Sequence, residues 1–160
     1  MPTGFGASIM LDPFDLKILA ALQADASLTN AALAERVNLS ASQCSRRRSS
    51  LEDAGYIRGY RADLDARKLG YEIEAFTRVT LSAHDETTAD DFAHFVNNLK
   101  QVQQAHAVSG DADYLIHIRA KSLDELANFI HGHLLPHRHV SQVRSDIVLR
   151  TIKENRGFSL

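Results

Sequence analysis

The residues best suited to chemistry in this chain lie between Arg36 and Arg61, and their chemistry is that of nucleic-acid contact. Arg46, Arg47 and Arg48 are consecutive, and with Arg36, Arg58 and Arg61 they are opposed in that window only by Glu52 and Asp53. Ser42 and Gln43, just ahead of the arginines, carry hydrogen-bonding ends that suit base edges, and Ser49 and Ser50 extend the same polar face. Arg46 and Arg47 suit phosphate or guanine, and Arg58 adds charge just beyond the helix. The patch is local: residues 1–62 hold seven Lys and Arg against six Asp and Glu, residues 63–160 hold eleven against fourteen, and the chain is −2 overall. That balance is compatible with DNA, because counterion release depends on the charges at the contact far more than on the global sum.

Other reactive residue types lead to weaker chemistry. Of the eight histidines, His131, His133, His137 and His139 cluster, but on a helix His131 and His133 point about 200° apart and cannot share an ion. His137 and His139 could do so if extended, yet no cysteine or carboxylate cluster accompanies them. The expectation is therefore no metal, with the stretch from His131 to His139 left without a role. Cys44, the single cysteine, sits at core spacing on a helix and reads as a small buried hydrophobe. The sequence shows no phosphate-binding glycine loop, nucleophile elbow or paired acids with a cofactor fingerprint, so neither an enzyme nor a cofactor is expected. With 44% hydrophobic and 24% charged residues and no apolar run near the ~18 residues of a membrane span, a globular cytoplasmic protein without membrane contact is expected.

Helices must position the basic patch. From Leu11 to Ala24 the residues Phe14, Ile18, Leu19 and Leu22 form one apolar stripe, with Asp12 as cap and Pro13 at the first helical position. Thr29 caps a short second helix that buries Leu33, Ala34 and Val37. Asn38 then supplies the left-handed residue of a tight turn. Ser40 and Gln43 form a capping box for a third helix, which Gly55 ends. Two helices across a three-residue turn, the second polar and basic, make a helix-turn-helix that sends its second helix into the major groove. Arg48 falls on the face that should be buried, so either its stem packs with its head outward or it pairs with Glu52. Tyr56–Arg61 reads as a short strand of interleaved basic and aromatic residues.

After Gly70 the period changes to two. Ile73, Ala75, Val79 and Leu81 alternate with polar residues in a half-buried strand, and Phe92, Phe95, Val96 and Leu99 then mark a helix. Residues 102–108 read as a second strand, 109–113 as a turn and 114–120 as a third strand. A helix capped by Ser122 and Glu125 buries Leu126, Phe129, Ile130 and Leu134, and residues 140–152 form the last strand. Strand-helix-strand repeated twice is the ferredoxin-like βαββαβ sandwich. An outward-facing Phe76 with Tyr114 points to a partner sheet and hence to a homodimer.

The strings Leu11–Leu19, Leu39–Arg48, Leu51–Asp65 and Ser109–Tyr114, in this order, resemble the Lrp/AsnC family of feast/famine regulators over about Leu11 to Lys153. The resemblance implies an α+β chain: a winged helix-turn-helix over 1–62, a linker over 63–71, and a ferredoxin-like effector-binding and oligomerisation domain over 72–160. It implies a sequence-specific transcriptional regulator that binds double-stranded DNA as a homodimer assembling to an octamer. Its effector would be a small molecule, an amino acid, held by Ser109, Gly110, Asp111, Asp113 and Tyr114, with Arg144 and Ser145 added from the last strand. That pocket is chemically reasonable, because aspartates accept from an ammonium and a glycine turn offers amides to a carboxylate. Asn38 departs from the family's usual glycine, Arg48 from an aliphatic residue, and Ser49 and Ser50 from basic ones. The alternative, an amino-acid-sensing oligomeric module acting through protein contacts, leaves the arginine cluster unexplained.

Overall fold

The computed structural model describes residues 10–155 and 157–160. It divides into two units: the chain as far as Asp63 together with Lys153–Leu160, and Leu64–Ile152. The last eight residues, read from sequence as the end of the second module, thus group with the first. There the Gln23 side-chain amide donates to the Phe158 carbonyl at 2.7 Å and accepts the Phe158 N–H at 2.9 Å.

The first unit holds helices α1 (Pro13–Ala24), α2 (Asn30–Val37) and α3 (Ala41–Asp53). Each is started by a side chain that satisfies amides with no intrahelical partner. Asp12 accepts from the Phe14 and Asp15 amides, and Asp15 returns the bond to the Asp12 amide at 3.1 Å. Thr29 accepts from Ala32, and Ser40 and Gln43 form the expected reciprocal box. Asn38 is left-handed at φ +57° and turns the chain from α2 to α3. Gly55, at φ +78°, closes α3 as the Tyr56 N–H reaches the Leu51 carbonyl. Ile18, Leu22, Leu28, Leu33, Val37, Cys44 and Leu51 fill the core, each full burial contributing about 1.5–3 kcal/mol for the larger apolar side chains.

Two local expectations are corrected in this unit. Phe14 is half-exposed, and the acidic Asp15 is buried in its stead. Tyr56–Arg61 forms no strand, because a strand exists only by pairing and the described residues of this unit offer no second one. The segment is pinned instead by the Tyr56 and Ile57 amides on the Leu51 carbonyl and by the Tyr60 hydroxyl on Glu52.

The second unit runs β1 (Ile73–Leu81), α4 (Glu86–Asn97), β2 (Val102–Ala107), β3 (Tyr114–Ala120), α5 (Leu123–Phe129), a π turn (Ile130–Leu134) and β4 (Val140–Ile147). The strand order is β2-β3-β1-β4 with every neighbour antiparallel, the ferredoxin-like arrangement. Helices α4 and α5 cover one face, where Phe92, Val96, Leu126 and Phe129 meet Ala75, Val79, Leu81, Ile116 and Ile118. Buried Thr77 is satisfied by the Ser145 hydroxyl at 2.8 Å. The last strand stops at Ile147 instead of residue 152, its final tie to β1 being the Val148 amide on the Glu74 carbonyl. Ser122 caps α5 as expected, but Glu125 takes the Lys121 amide in place of the Ser122 amide.

Tyr114 does not face outward. It shares the parity of Ile116 and Ile118, and its ring lies 4.7 Å from that of Phe92 on the helix side. The companion of Phe76 on the open face is His117, stacked at 4.8 Å. The His117 Nε2 lies 2.7 Å from Glu74, which also holds Arg119 at 3.2 Å.

Candidate DNA-reading helix and effector cleft

The three arginines of α3 have different environments. The Arg47 Nη1 lies 2.7 Å from both an Asp12 and an Asp15 carboxylate oxygen. It ties α3 to the start of α1, and the hydrogen bond to Asp15 raises its already high pKa. A guanidinium held this way is a structural clamp, so the geometry does not favour Arg47 as a DNA contact. Arg48 combines both readings of its awkward position. Its Nε donates to Tyr60 at 2.8 Å and to Glu52 at 3.3 Å, its Nη1 reaches the Leu28 carbonyl, and its head lies 4.6 Å from the Tyr60 ring centre. The Tyr60 phenol is pushed up by burial first and by the Glu52 hydrogen bond second. Arg46 stands exposed.

Ser42, Gln43, Arg46, Ser49 and Ser50 all stand exposed on α3, opposite buried Cys44 and Leu51, and Arg58 is exposed beyond the helix. The cap restricts what Gln43 can read. Its amide oxygen accepts from the Ser40 N–H and hydroxyl, both at 3.0 Å, which leaves its NH₂ group to donate to an acceptor such as guanine O6 or adenine N7. The Ser50 hydroxyl donates back to the Arg46 carbonyl at 3.1 Å.

In the second unit a cleft of about 210 Å³ opens where β1 ends beside the β2–β3 turn. It is lined by Leu81, Ala83, His84, Ala89, Ala107, Val108, Asp113 and Tyr114. Asp113 is fixed on three sides: its Oδ2 accepts the Leu81 N–H at 2.7 Å, its own N–H donates to Val79, and its carbonyl accepts from Val108. Its Oδ1 lies 3.2 Å from the His84 Nδ1. Burial raises the Tyr114 phenol pKa, and the charges of Asp113 and Asp90 add to this.

The sequence-selected effector residues separate in space. Asp113 and Tyr114 line the cleft, whereas Ser109, Gly110 (φ +137°) and Asp111 form the exposed turn outside that lining. Ser145 points into the helix-covered face against Thr77, and Arg144, one residue earlier on β4, is on the other face, 3.8 Å from Asp146. Neighbours on a strand project to opposite sides, so these two cannot serve one pocket together. Sequence reading missed His84 and the alanines. The signal was the topology itself, since antiparallel pairing of β1 with β3 must bring the residues after Leu81 to the turn before Tyr114.

Within the histidine-rich stretch His131 and His133 are exposed, whereas His137 packs against both Phe92 and Phe95, at 5.5 and 4.4 Å between ring centres. Burial, and then the neighbouring His139, lower the His137 pKa below its ordinary value. The His139 Nε2 lies 3.3 Å from Asp91. Among the described residues no group of three or more His, Cys, Asp or Glu is placed to hold a metal ion, and no helix is long and apolar enough to cross a membrane.

Residues 11–58 match the family model for winged helix-turn-helix DNA-binding domains, and residues 74–158 match that for the Lrp/AsnC ligand-binding domain. Together the two units define a transcriptional regulator that joins a DNA-binding helix-turn-helix to a ligand-binding domain. The leucine-responsive regulatory protein of Rhizobium meliloti (strain 1021) is 40% identical over 146 residues, covering 91% of this chain and 94% of the relative. The transcriptional regulator AzlB of Bacillus subtilis (strain 168) is 37% identical over 91% of this chain and 92% of its own. Among solved structures, the L-Met complex of the Neisseria meningitidis transcriptional regulator NMB0573 superposes with a TM-score of 0.87 at 37% identity, covering 91% and 94% of the two chains. The chain belongs to the Lrp/AsnC family of transcriptional regulators.

Proposed function

We propose that this regulator acts by binding alone, in the cytoplasm, reading DNA with the exposed face of α3 and sensing an amino acid in the cleft at the end of β1. Ser42 and the Gln43 NH₂ address base edges, Arg46 and Arg58 address phosphate or guanine, and Ser49 and Ser50 line the approach. Residues 1–62 serve as the reading module, 63–71 as the linker, and the sensing module starts at residue 72. The open face of the sheet, with Phe76 and the Glu74–His117–Arg119 cluster, pairs two copies, and dimers assemble further, to an octamer. The observation that carries the sensing role is the cleft itself. It has an apolar wall and a carboxylate, Asp113, at one end, inside the segment matched by the ligand-binding family model. The solved relative NMB0573 holds L-Met, which supports an amino acid as the class of effector.

The test is a thermal-shift screen of the twenty amino acids, since a ligand that binds only the native state raises apparent stability. Gel shifts with competitor DNA, with and without each hit, follow. A hit that also alters operator binding is expected. No stabilisation by any amino acid overturns the sensing role, and DNA binding unchanged in Arg46→Ala/Gln43→Ala overturns α3 as the reader.

A further inference from the structure

Within the cleft, the carboxylate that the sequence offers to an effector's ammonium is already half committed. The Asp113 Oδ2 holds the Leu81 amide at 2.7 Å, and its Oδ1 faces the His84 Nδ1 at 3.2 Å. The His84 side chain is itself 72% exposed. Resting on the reading of this cleft as the effector site, we propose that His84 determines specificity there, its ring holding the effector's α-carboxylate through Nε2.

The argument is one of charge and of ring edges. An amino acid brings one cation and one anion. Negative charge for its ammonium is present in the Asp113 carboxylate, which lines the cleft. For its carboxylate the choice is narrow. Among the described residues that line the cleft, Leu81, Ala83, Ala89, Ala107 and Val108 are apolar, and His84 is the one side chain that can carry positive charge. A carboxylate brought beside Asp113 without a cation would be desolvated and repelled at once. A histidine ring between the two carboxylates can face both, one through each nitrogen. With Nδ1 turned to Asp113, Nε2 is the edge left for a ligand. Asp113 is then a positioning residue that orients the ring, and the alanine wall leaves space for the effector's side chain.

The test uses full-length protein and calorimetry with two matched pairs of probes, L-leucine against L-leucinamide and L-methionine against L-methioninamide. A charge-assisted hydrogen bond to the carboxylate corresponds to a preference for acid over amide of about ten- to a hundredfold. In His84→Ala that preference is expected to collapse towards unity, and in His84→Asn, which keeps a neutral donor, to fall between the two. An acid-to-amide ratio in His84→Ala equal to that of the unsubstituted protein overturns the assignment. Ala107→Leu, at an exposed position on the cleft wall, tests the cleft separately and is expected to abolish binding of both members of each pair. Normal binding in Ala107→Leu places the effector elsewhere and overturns the cleft reading, and a failure of all four probes to bind the unsubstituted protein overturns the assignment of His84 to leucine- or methionine-type effectors.

Discussion

Replacing Arg47 with alanine distinguishes a clamp from a DNA contact. The guanidinium sits between the Asp12 and Asp15 carboxylates, and the Asp15 side chain is only 10% exposed against 27% for Arg47. Removing one partner of a fully buried pair costs about 3–5 kcal/mol, because the other charge stays buried, whereas an exposed pair is worth about 0–1 kcal/mol. A nearly buried carboxylate facing a partly exposed arginine lies between these limits, so the cost is on the order of 2 kcal/mol, carried by Asp15. For a unit of about 60–70 residues this corresponds to a fall in midpoint of roughly 10 °C. The assay is hydrogen exchange of the α1 and α3 amides together with thermal unfolding, which separates this unit from the other. Asp15→Asn in the Arg47→Ala background should recover part of the loss, since it removes the stranded charge. DNA affinity should fall only in proportion to the unfolded fraction, with the salt slope unchanged. Full stability with a salt slope reduced by about one, the signature of a lost phosphate contact, would refute the clamp.

Packing between Phe92 and Phe95 lowers the His137 pKa below its ordinary 6.5. The unfolded chain therefore takes up the proton first. Stability is complete above about pH 6.5 and declines as pH falls through that value, and His137→Leu should flatten the decline in pH-dependent urea melts. The caps Asp12 and Asp85 lose protons more readily than the ordinary 3.8, the first through the Asp15 amide and the second through the Thr88 hydroxyl. Their contribution is present above that value and is lost as pH falls through the lowered folded values, so acid unfolding should begin earlier in Asp12→Ala. Ala at Asn38 or Gly55 must adopt φ +57° or +78° and should cost about 1–2 kcal/mol by denaturant melt, whereas Asn38→Gly should not. Cys44 is fully buried and burial raises its thiol pKa, so a thiol reagent should label it at the unfolding rate, and rapid labelling of the native protein would contradict the core assignment.

Signals a few residues apart were legible in the sequence. Ser40 and Gln43, Asn38 and Gly55 are local devices whose partners lie within a turn, and the alternation of β1 fixes which residues enter the core. What escaped is long-range or depends on which group a side chain has already satisfied. Arg47 looked like a free cation because its carboxylates come from 32 and 35 residues earlier in the chain. Asp113 looked like a free acceptor because its amide donor is on another strand. Tyr114 was misplaced for a different reason, since its parity with Ile116 already put it on the covered face. At the cleft, Asp113 and Tyr114 were readable as a motif. His84 was not, because it enters only when two strands pair.

The return of Lys153–Leu160 to the first unit has a consequence for how the protein is made. Synthesis runs from the amino end, so the helices through Asp63 emerge and can close on their own core early. Their last piece, the segment that reaches Gln23 through Phe158, cannot arrive until all of Leu64–Ile152 has been translated. For that interval a nascent reading unit exists with its Gln23 amide unclaimed. The unit begun first is thus completed only after the other has been made.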